Sequence, residues 1–134
     1  MVKKILLGTL GGAVAGNVIA MVIYMGFLGG MAEKWMQDNA ACLNEMSPVW
    51  WMVAGLVQAL LFALILDKFG VSTFKGGLFA GAWLSFLLAL FIGIMNASTY
   101  KAYGWDWLPL DLIGNVISGA VGGATIGWIF GKVK

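Results

Sequence analysis

Four long apolar runs, separated by short polar segments, make up most of this chain. Charged residues account for 10% of it and hydrophobic residues for 61%, whereas soluble domains carry roughly a quarter charged residues. Runs of about 20 apolar residues match the hydrocarbon thickness of a bilayer. The sequence therefore predicts a single all-α integral membrane domain over residues 1–134, with four transmembrane helices in an antiparallel bundle. The predicted spans are about 5–28, 49–66, 76–98 and 108–131.

Sequence signals predict where the first span ends and where the second begins. The pair Gly29-Gly30 is predicted to end the first span, and Ser47-Pro48 is typical of a helix start. Residues 31–45 mix polar and apolar side chains at a spacing that predicts a short interfacial helix on the membrane surface. The lysines before the first run also suit a signal peptide, but that run continues to spanning length, so we interpret it as a span.

Small residues recur at every fourth position of each predicted span. In the last span this stripe continues to Asn115 and Asp111. A stripe without bulky side chains lets a neighbouring membrane helix approach closely. The stripes favour tight packing inside one bundle, and packing between protomers is the alternative. The glycines predicted to act in helix packing are Gly8, Gly12, Gly16, Gly77, Gly81, Gly93, Gly119, Gly123 and Gly127.

The lysines are distributed unequally between the two sides of the predicted bundle. Because lysine is enriched in cytoplasmic loops, the more basic side predicts the cytoplasm and places both termini there. The opposite side carries most of the acids and a belt of tryptophan and tyrosine. The cytoplasmic lysines are Lys3, Lys4, Lys68, Lys75, Lys132 and Lys134, against Lys34 and Lys101 outside with Glu33, Asp38, Glu45, Asp106 and Asp111.

Composition argues against several classes of function. The chain has no histidine and no arginine, so the commonest metal ligand, the commonest general base and the bidentate clamp for phosphates are missing. We predict no catalytic residue, cofactor or metal. A net charge of +2 is too small to indicate nucleic acid. The single Cys42 is interpreted as a small apolar loop residue, and an intermolecular disulfide is the alternative.

Five polar residues in the spans are the candidates for a polar path or ligand site. Asn17 and Gln58 are predicted near the middle of the bilayer, where they either bond to each other or line a path. Asn96, Asp111 and Asn115 are predicted nearer the outer face. Asp111 is the default functional candidate because ionisable residues within spans are rare. The alternative is that the helix dipole stabilises its charge at headgroup depth.

The order of these motifs resembles a known family. It comprises a lysine-led, glycine-rich first span ending in a tyrosine, Gly55 in the second span, a turn with Ser72-Thr73-Phe74-Lys75-Gly76-Gly77, then Gly81-Ala82, Asp111 and a glycine-rich last span. This is similar to an uncharacterised family of small four-span bacterial membrane proteins, common in bacteroidetes-like genomes. The resemblance implies a bacterial inner membrane and no particular activity.

The sequence as a whole predicts a non-catalytic structural, accessory or assembly protein that acts through glycine-mediated helix packing. The alternative is a small oligomeric transporter or channel with a polar path past the five polar residues. The predicted partners are the lipid bilayer and either a homo-oligomer or a larger membrane complex, without nucleic acid. The two functions differ in whether the polar residues share one cavity or each meet a partner.

Overall fold

The computed structural model describes residues 1–44 and 47–133, which contain five α-helices and no strand. The helices are α1 (Val2–Met21), which continues as a π-helical segment (Val22–Phe27), α2 (Gly29–Asp38), α3 (Pro48–Lys68), α4 (Phe74–Thr99) and α5 (Trp107–Lys132), with a 3-10 turn at Ala40–Cys42. Glu45, Met46 and Lys134 lie outside the described residues. Two of the charges counted in the predicted asymmetry, those of Glu45 and Lys134, therefore lie outside the described residues.

Four of these segments are long and apolar enough to cross a membrane, judged by length and composition: Val2–Phe27, Pro48–Lys68, Phe74–Thr99 and Trp107–Lys132. The prediction of an all-α chain with four long apolar helices is therefore confirmed. Each bound lies within three residues of the predicted one.

The prediction was wrong about the pair Gly29-Gly30. These glycines begin α2 and do not follow the last helical turn of the first span directly. The chain changes direction one residue earlier, at Leu28, where φ is −102° and ψ is 4°. The Leu28 N–H bonds to the Ile23 carbonyl at 2.9 Å, which closes a wide turn and ends the first helical segment. α2 is also shorter than the predicted 31–45, because it ends at Asp38.

α5 lies at the centre of the helix packing. α4 packs along one side of it and α1 along another, whereas α3 packs mainly on α1. Near one end, α3 also reaches α5, and there Phe62, Ala63 and Leu66 of α3 form a buried cluster with Ile126 and Phe130 of α5. The arrangement of the three other long helices therefore depends on α5.

The contact between α4 and α5 is made by backbone against backbone. A β-carbon added at Gly77 would overlap the Gly123 carbonyl, and one added at Gly81 would overlap the Gly119 carbonyl. Gly127 lies equally close to α4, because an added β-carbon there would lie 3.0 Å from the Gly77 Cα. The predicted stripes of α4 and α5 thus face each other, and their closest approach requires glycine.

α1 meets α5 in a different way, with glycine against side chain. An added β-carbon at Gly12 would lie 2.6 Å from the Ile126 side chain, and one at Gly8 would overlap the Phe130 ring. Gly16 is less confined, since its nearest neighbour would be the Ser118 carbonyl at 3.7 Å. The glycines of α1 therefore accommodate the large side chains that α5 presents on this face.

The start of α1 and the end of α5 lie at the same end of the molecule as the turn between α3 and α4. Lys4 Nζ forms an ion pair with Asp67 Oδ1 at 2.7 Å and lies 4.4 Å from the centre of the Phe130 ring. At this end Gly131 also packs closely against the carbonyl of Ser72. We call it the terminal end, and we call the opposite end, which carries α2 and the turn between α4 and α5, the loop end.

We predict that Gly123→Ala destabilises the fold by about 1–3 kcal/mol, the usual effect of overpacking. The new β-carbon would lie 2.7 Å from the Gly81 Cα, where only backbone could move aside. Unfolding in mixed micelles measures the change. The matched control is Gly26→Ala, which meets nothing within 4 Å. Equal effects of the two variants would contradict the importance of the glycine contact.

Candidate functional site

Polar side chains from three parts of the chain meet around Asp111 at the loop end. Tyr24 Oη donates to Asp111 Oδ1 at 2.7 Å, and Tyr103 Oη donates to Oδ2 at 2.8 Å. Asn115, one turn further along α5, donates to Oδ1 at 3.1 Å and to the Asp111 carbonyl at 2.8 Å. All four residues are half-buried. We call them the Asp111 cluster.

The π-helical segment after α1 carries Tyr24 to this cluster. A π-helical turn contains more residues than an α-helical turn, and such turns are frequent at functional sites. Gly114 of α5 leaves room for the tyrosine, because an added β-carbon there would lie 2.8 Å from the Tyr24 hydroxyl oxygen. The approach of Tyr24 to Asp111 therefore depends on the π-helical turn after α1 and on the glycine at position 114 of α5.

Tyr103 reaches the cluster from the turn between α4 and α5. This turn requires Gly104, whose φ of 64° lies in the left-handed region. Close packing of Gly93 against Leu108 holds the two flanking helices together. Burial raises the pKa of the Tyr103 phenol, and its hydrogen bond to the Asp111 carboxylate raises it further. Tyr103 therefore keeps its proton at physiological pH and donates a hydrogen bond to the carboxylate.

The chemistry of the cluster is that of a carboxylate whose two oxygens each accept hydrogen bonds. Hydrogen bonds to a carboxylate are stronger than those between neutral groups. Oδ1 accepts from Tyr24 and Asn115, whereas Oδ2 accepts from Tyr103 alone. Within residues 1–44 and 47–133, no group of three or more His, Cys, Asp or Glu side chains could hold a metal ion.

Asp111 does not lie in the first turn of α5, where the interpretation through the helix dipole requires it. α5 begins at Trp107, and no acidic residue lies in its first turn. The hydrogen bonds of its carboxylate come from side chains, one of them on the segment that follows α1. Specific hydrogen bonds from neighbouring side chains, and not the helix dipole, therefore explain how the charge of Asp111 is stabilised.

An open groove of about 360 Å³ lies next to the cluster at the loop end, between α2 and the turn before α5. The Trp35 and Trp107 rings stack there with centroids 6.1 Å apart, and Trp35 Nε1 donates to the Ala102 carbonyl at 2.6 Å. Lys34 and Asp38 also line this loop-end groove. Tyr103 belongs to the groove as well as to the Asp111 cluster.

The remaining predicted polar residues do not join the cluster. Asn17 is half-buried, and its amide lies against Gly55 of α3. Gln58 is exposed on the surface of α3, so the predicted Asn17–Gln58 bond is not among the hydrogen bonds of the described residues. Asn96 is half-buried near the end of α4, and no hydrogen bond in the described part of the chain joins its side chain to Asp111.

Two partners of Asp111 were missed as site residues by reasoning from the sequence. Tyr24 is 87 residues away along the chain, so no local spacing connects the two. Tyr103 was assigned to the aromatic belt at the membrane surface. The usable signal was a polar side chain within a long apolar run, since a buried tyrosine hydroxyl usually finds a hydrogen-bond partner.

No protein-family model matches the chain, and neither a curated protein nor a solved structure matches it significantly.

We predict that Tyr24→Phe and Tyr103→Phe each destabilise the fold by about 1.5–3 kcal/mol, the usual range for a hydrogen bond to a charged group, because each removes one donor to the carboxylate. In an Asp111→Leu background both substitutions should have little further effect, since the acceptor is already gone. Unfolding in mixed micelles measures all of these values.

Tyr100→Phe is the matched control for these variants. Tyr100 is 61% exposed, so the loss of its hydroxyl should leave stability within about 0.5 kcal/mol of the unmodified protein. Additive effects of Tyr103→Phe and Asp111→Leu would show that the two residues are not coupled.

Proposed function

We propose that this chain is a non-catalytic multi-pass membrane protein that acts as a structural, accessory or assembly subunit through helix packing. Its four long helices would form an antiparallel bundle in a bacterial inner membrane, with α2 at the surface. The four segments of spanning length and composition support this assignment.

The charge distribution supports an orientation with both termini in the cytoplasm. The terminal end carries Lys3, Lys4, Lys68, Lys75 and Lys132, whereas Lys34 and Lys101 flank the helices at the loop end. Because lysine is enriched on the cytoplasmic side of membrane proteins, the terminal end would face the cytoplasm. The Asp111 cluster would then lie near the outer surface.

The observation that carries the proposal is the hydrogen bonding of Asp111. A carboxylate that serves transport must exchange its ligand, whereas both oxygens of Asp111 already accept hydrogen bonds from side chains of the protein. Asn17 lies against Gly55, and Gln58 lies on the exposed surface of α3. Because these polar residues have separate surroundings, they support a role in stabilising the bundle more than a role in lining a continuous path.

One contact favours the alternative, a small oligomeric transporter or channel. Tyr103 lines the loop-end groove and donates to Asp111, so movement of this single side chain would open the carboxylate to the groove. Intramembrane carboxylates often mark ion or proton pathways. Such a protein would need more than one copy, because a single four-helix bundle leaves little room for a pore.

Isolation in polymer discs directly from the native membrane, followed by native mass measurement, tests the accessory role. We expect a species heavier than the 14.3 kDa chain, either a multiple of that mass or a stoichiometric complex with other chains. A lone monomer would contradict the proposal.

A flux measurement separates the two functions. Proteoliposomes loaded with a pH-sensitive dye or with a cation indicator should leak no faster than protein-free liposomes, for both the unmodified protein and Asp111→Asn. Glu33→Gln is the matched control, since Glu33 is exposed and lies outside both the cluster and the lining of the groove. Flux that Asp111→Asn abolishes and Glu33→Gln preserves would favour the transporter.

A further inference from the structure

The half of α3 nearer the loop end packs against the described chain at Gly55 and is otherwise uncovered. The buried residues of this helix are Ala59, Phe62, Ala63 and Leu66, all in the half nearer the terminal end. In the other half, Gly55 alone is half-buried, against Asn17, and the rest from Pro48 to Val57 is exposed. This half of α3 therefore presents most of its circumference to whatever surrounds the protein.

Gln58 lies at the boundary between these halves, at the midpoint of the 21-residue helix, and it is exposed. At 1.5 Å per residue, the midpoint is about 15 Å from either end, too far for this side chain to reach the headgroups. Its amide carries one acceptor oxygen and two N–H donors. Hydrocarbon offers them no partner, and an unsatisfied polar group there costs several kcal/mol.

We propose that a second copy of this chain packs against α3, so that Gln58 bonds to Gln58 of the partner subunit. The inference rests on the proposed function, because it assumes a membrane protein that acts through helix packing. A primary amide both donates and accepts, so two identical amides satisfy each other across a two-fold axis. Both copies share one orientation in the membrane, and the axis would therefore run along the membrane normal.

The residues around Gln58 suit this arrangement. Trp51, Ala54, Gln58, Leu61 and Ile65 follow one another at intervals of three and four, the spacing of a seam between two helices. All except the half-buried Ile65 are exposed. Ala54 adjoins Gln58 on this face, and a small residue there lets the two backbones approach until the amides meet. None of the five is charged, so nothing repels an identical face.

Energy transfer between labelled copies in proteoliposomes, measured over a range of lipid-to-protein ratios, tests the proposal. Gln58→Leu keeps the size of the side chain and removes the amide. It should raise the dimer dissociation constant about 5- to 30-fold, which corresponds to ~1–2 kcal/mol. Val53→Leu is the matched control, because Val53 is 39% exposed and lies about 140° around the helix from Gln58. It should leave the constant unchanged.

Cross-linking provides a second readout. In a Cys42→Ser background, which removes the single cysteine, Ala54→Cys should form a disulfide-linked dimer under copper phenanthroline. Val53→Cys, on another face of α3, should form much less. Equal cross-linking at both positions, or a dimer that Gln58→Leu leaves intact, would overturn the proposal, as would a monomer at every lipid ratio.

The outcomes also separate this inference from the proposed function. A stoichiometric complex with a different chain on this face would contradict the packing of a second copy and leave the accessory role intact. Flux that depends on Asp111 would overturn the accessory role, and the Gln58 dimer would still stand if Gln58→Leu dissociated it.

Discussion

The packing of this protein depends on the absence of side chains where α4 crosses α5. In lipid, helices gain little from the hydrophobic effect when they associate, so close van der Waals contact and hydrogen bonds must hold them together. Gly77 and Gly81 of α4 meet Gly119, Gly123 and Gly127 of α5 at backbone distance. Because α1 packs on another side of α5, any displacement at this contact would also move the surface on which α1 rests.

This packing also brings Asp111 to Tyr24. Four residues advance an α-helix by about 40° beyond one full turn, so a stripe at every fourth position winds slowly around the helix. Between Gly127 and Asp111 the stripe turns by about 160°. The glycines of the stripe therefore face α4, while its polar end faces the π-helical segment that follows α1. One sequence pattern thus provides two contacts, with different partners and different chemistry.

Features that depend on one segment of the chain could be predicted from the sequence. The four apolar helices follow from hydropathy, and the start of α3 at Pro48 follows from Ser47-Pro48. Contacts between distant segments could not be predicted, because a stripe of small residues shows that a neighbour approaches but not which one. For the same reason the predicted partner of Asn17 was wrong: it lies against Gly55, one helical turn from Gln58. Tyr24 was missed because the π-helical turn that positions it follows neither from hydropathy nor from residue spacing.

The polar residues in the long helices have different surroundings, and the difference separates internal packing from external contacts. Asp111 accepts hydrogen bonds from three side chains of the same protein, and Asn17 lies between two of its helices. Both side chains therefore find their contacts within a single chain. Gln58 is exposed at the edge of a helix half that the described chain leaves mostly uncovered. A membrane environment makes that position costly unless another protein surface supplies the missing hydrogen bonds. The internal contacts therefore account for how α1, α4 and α5 hold together, and the exposed face of α3 is where the proposed second copy would pack.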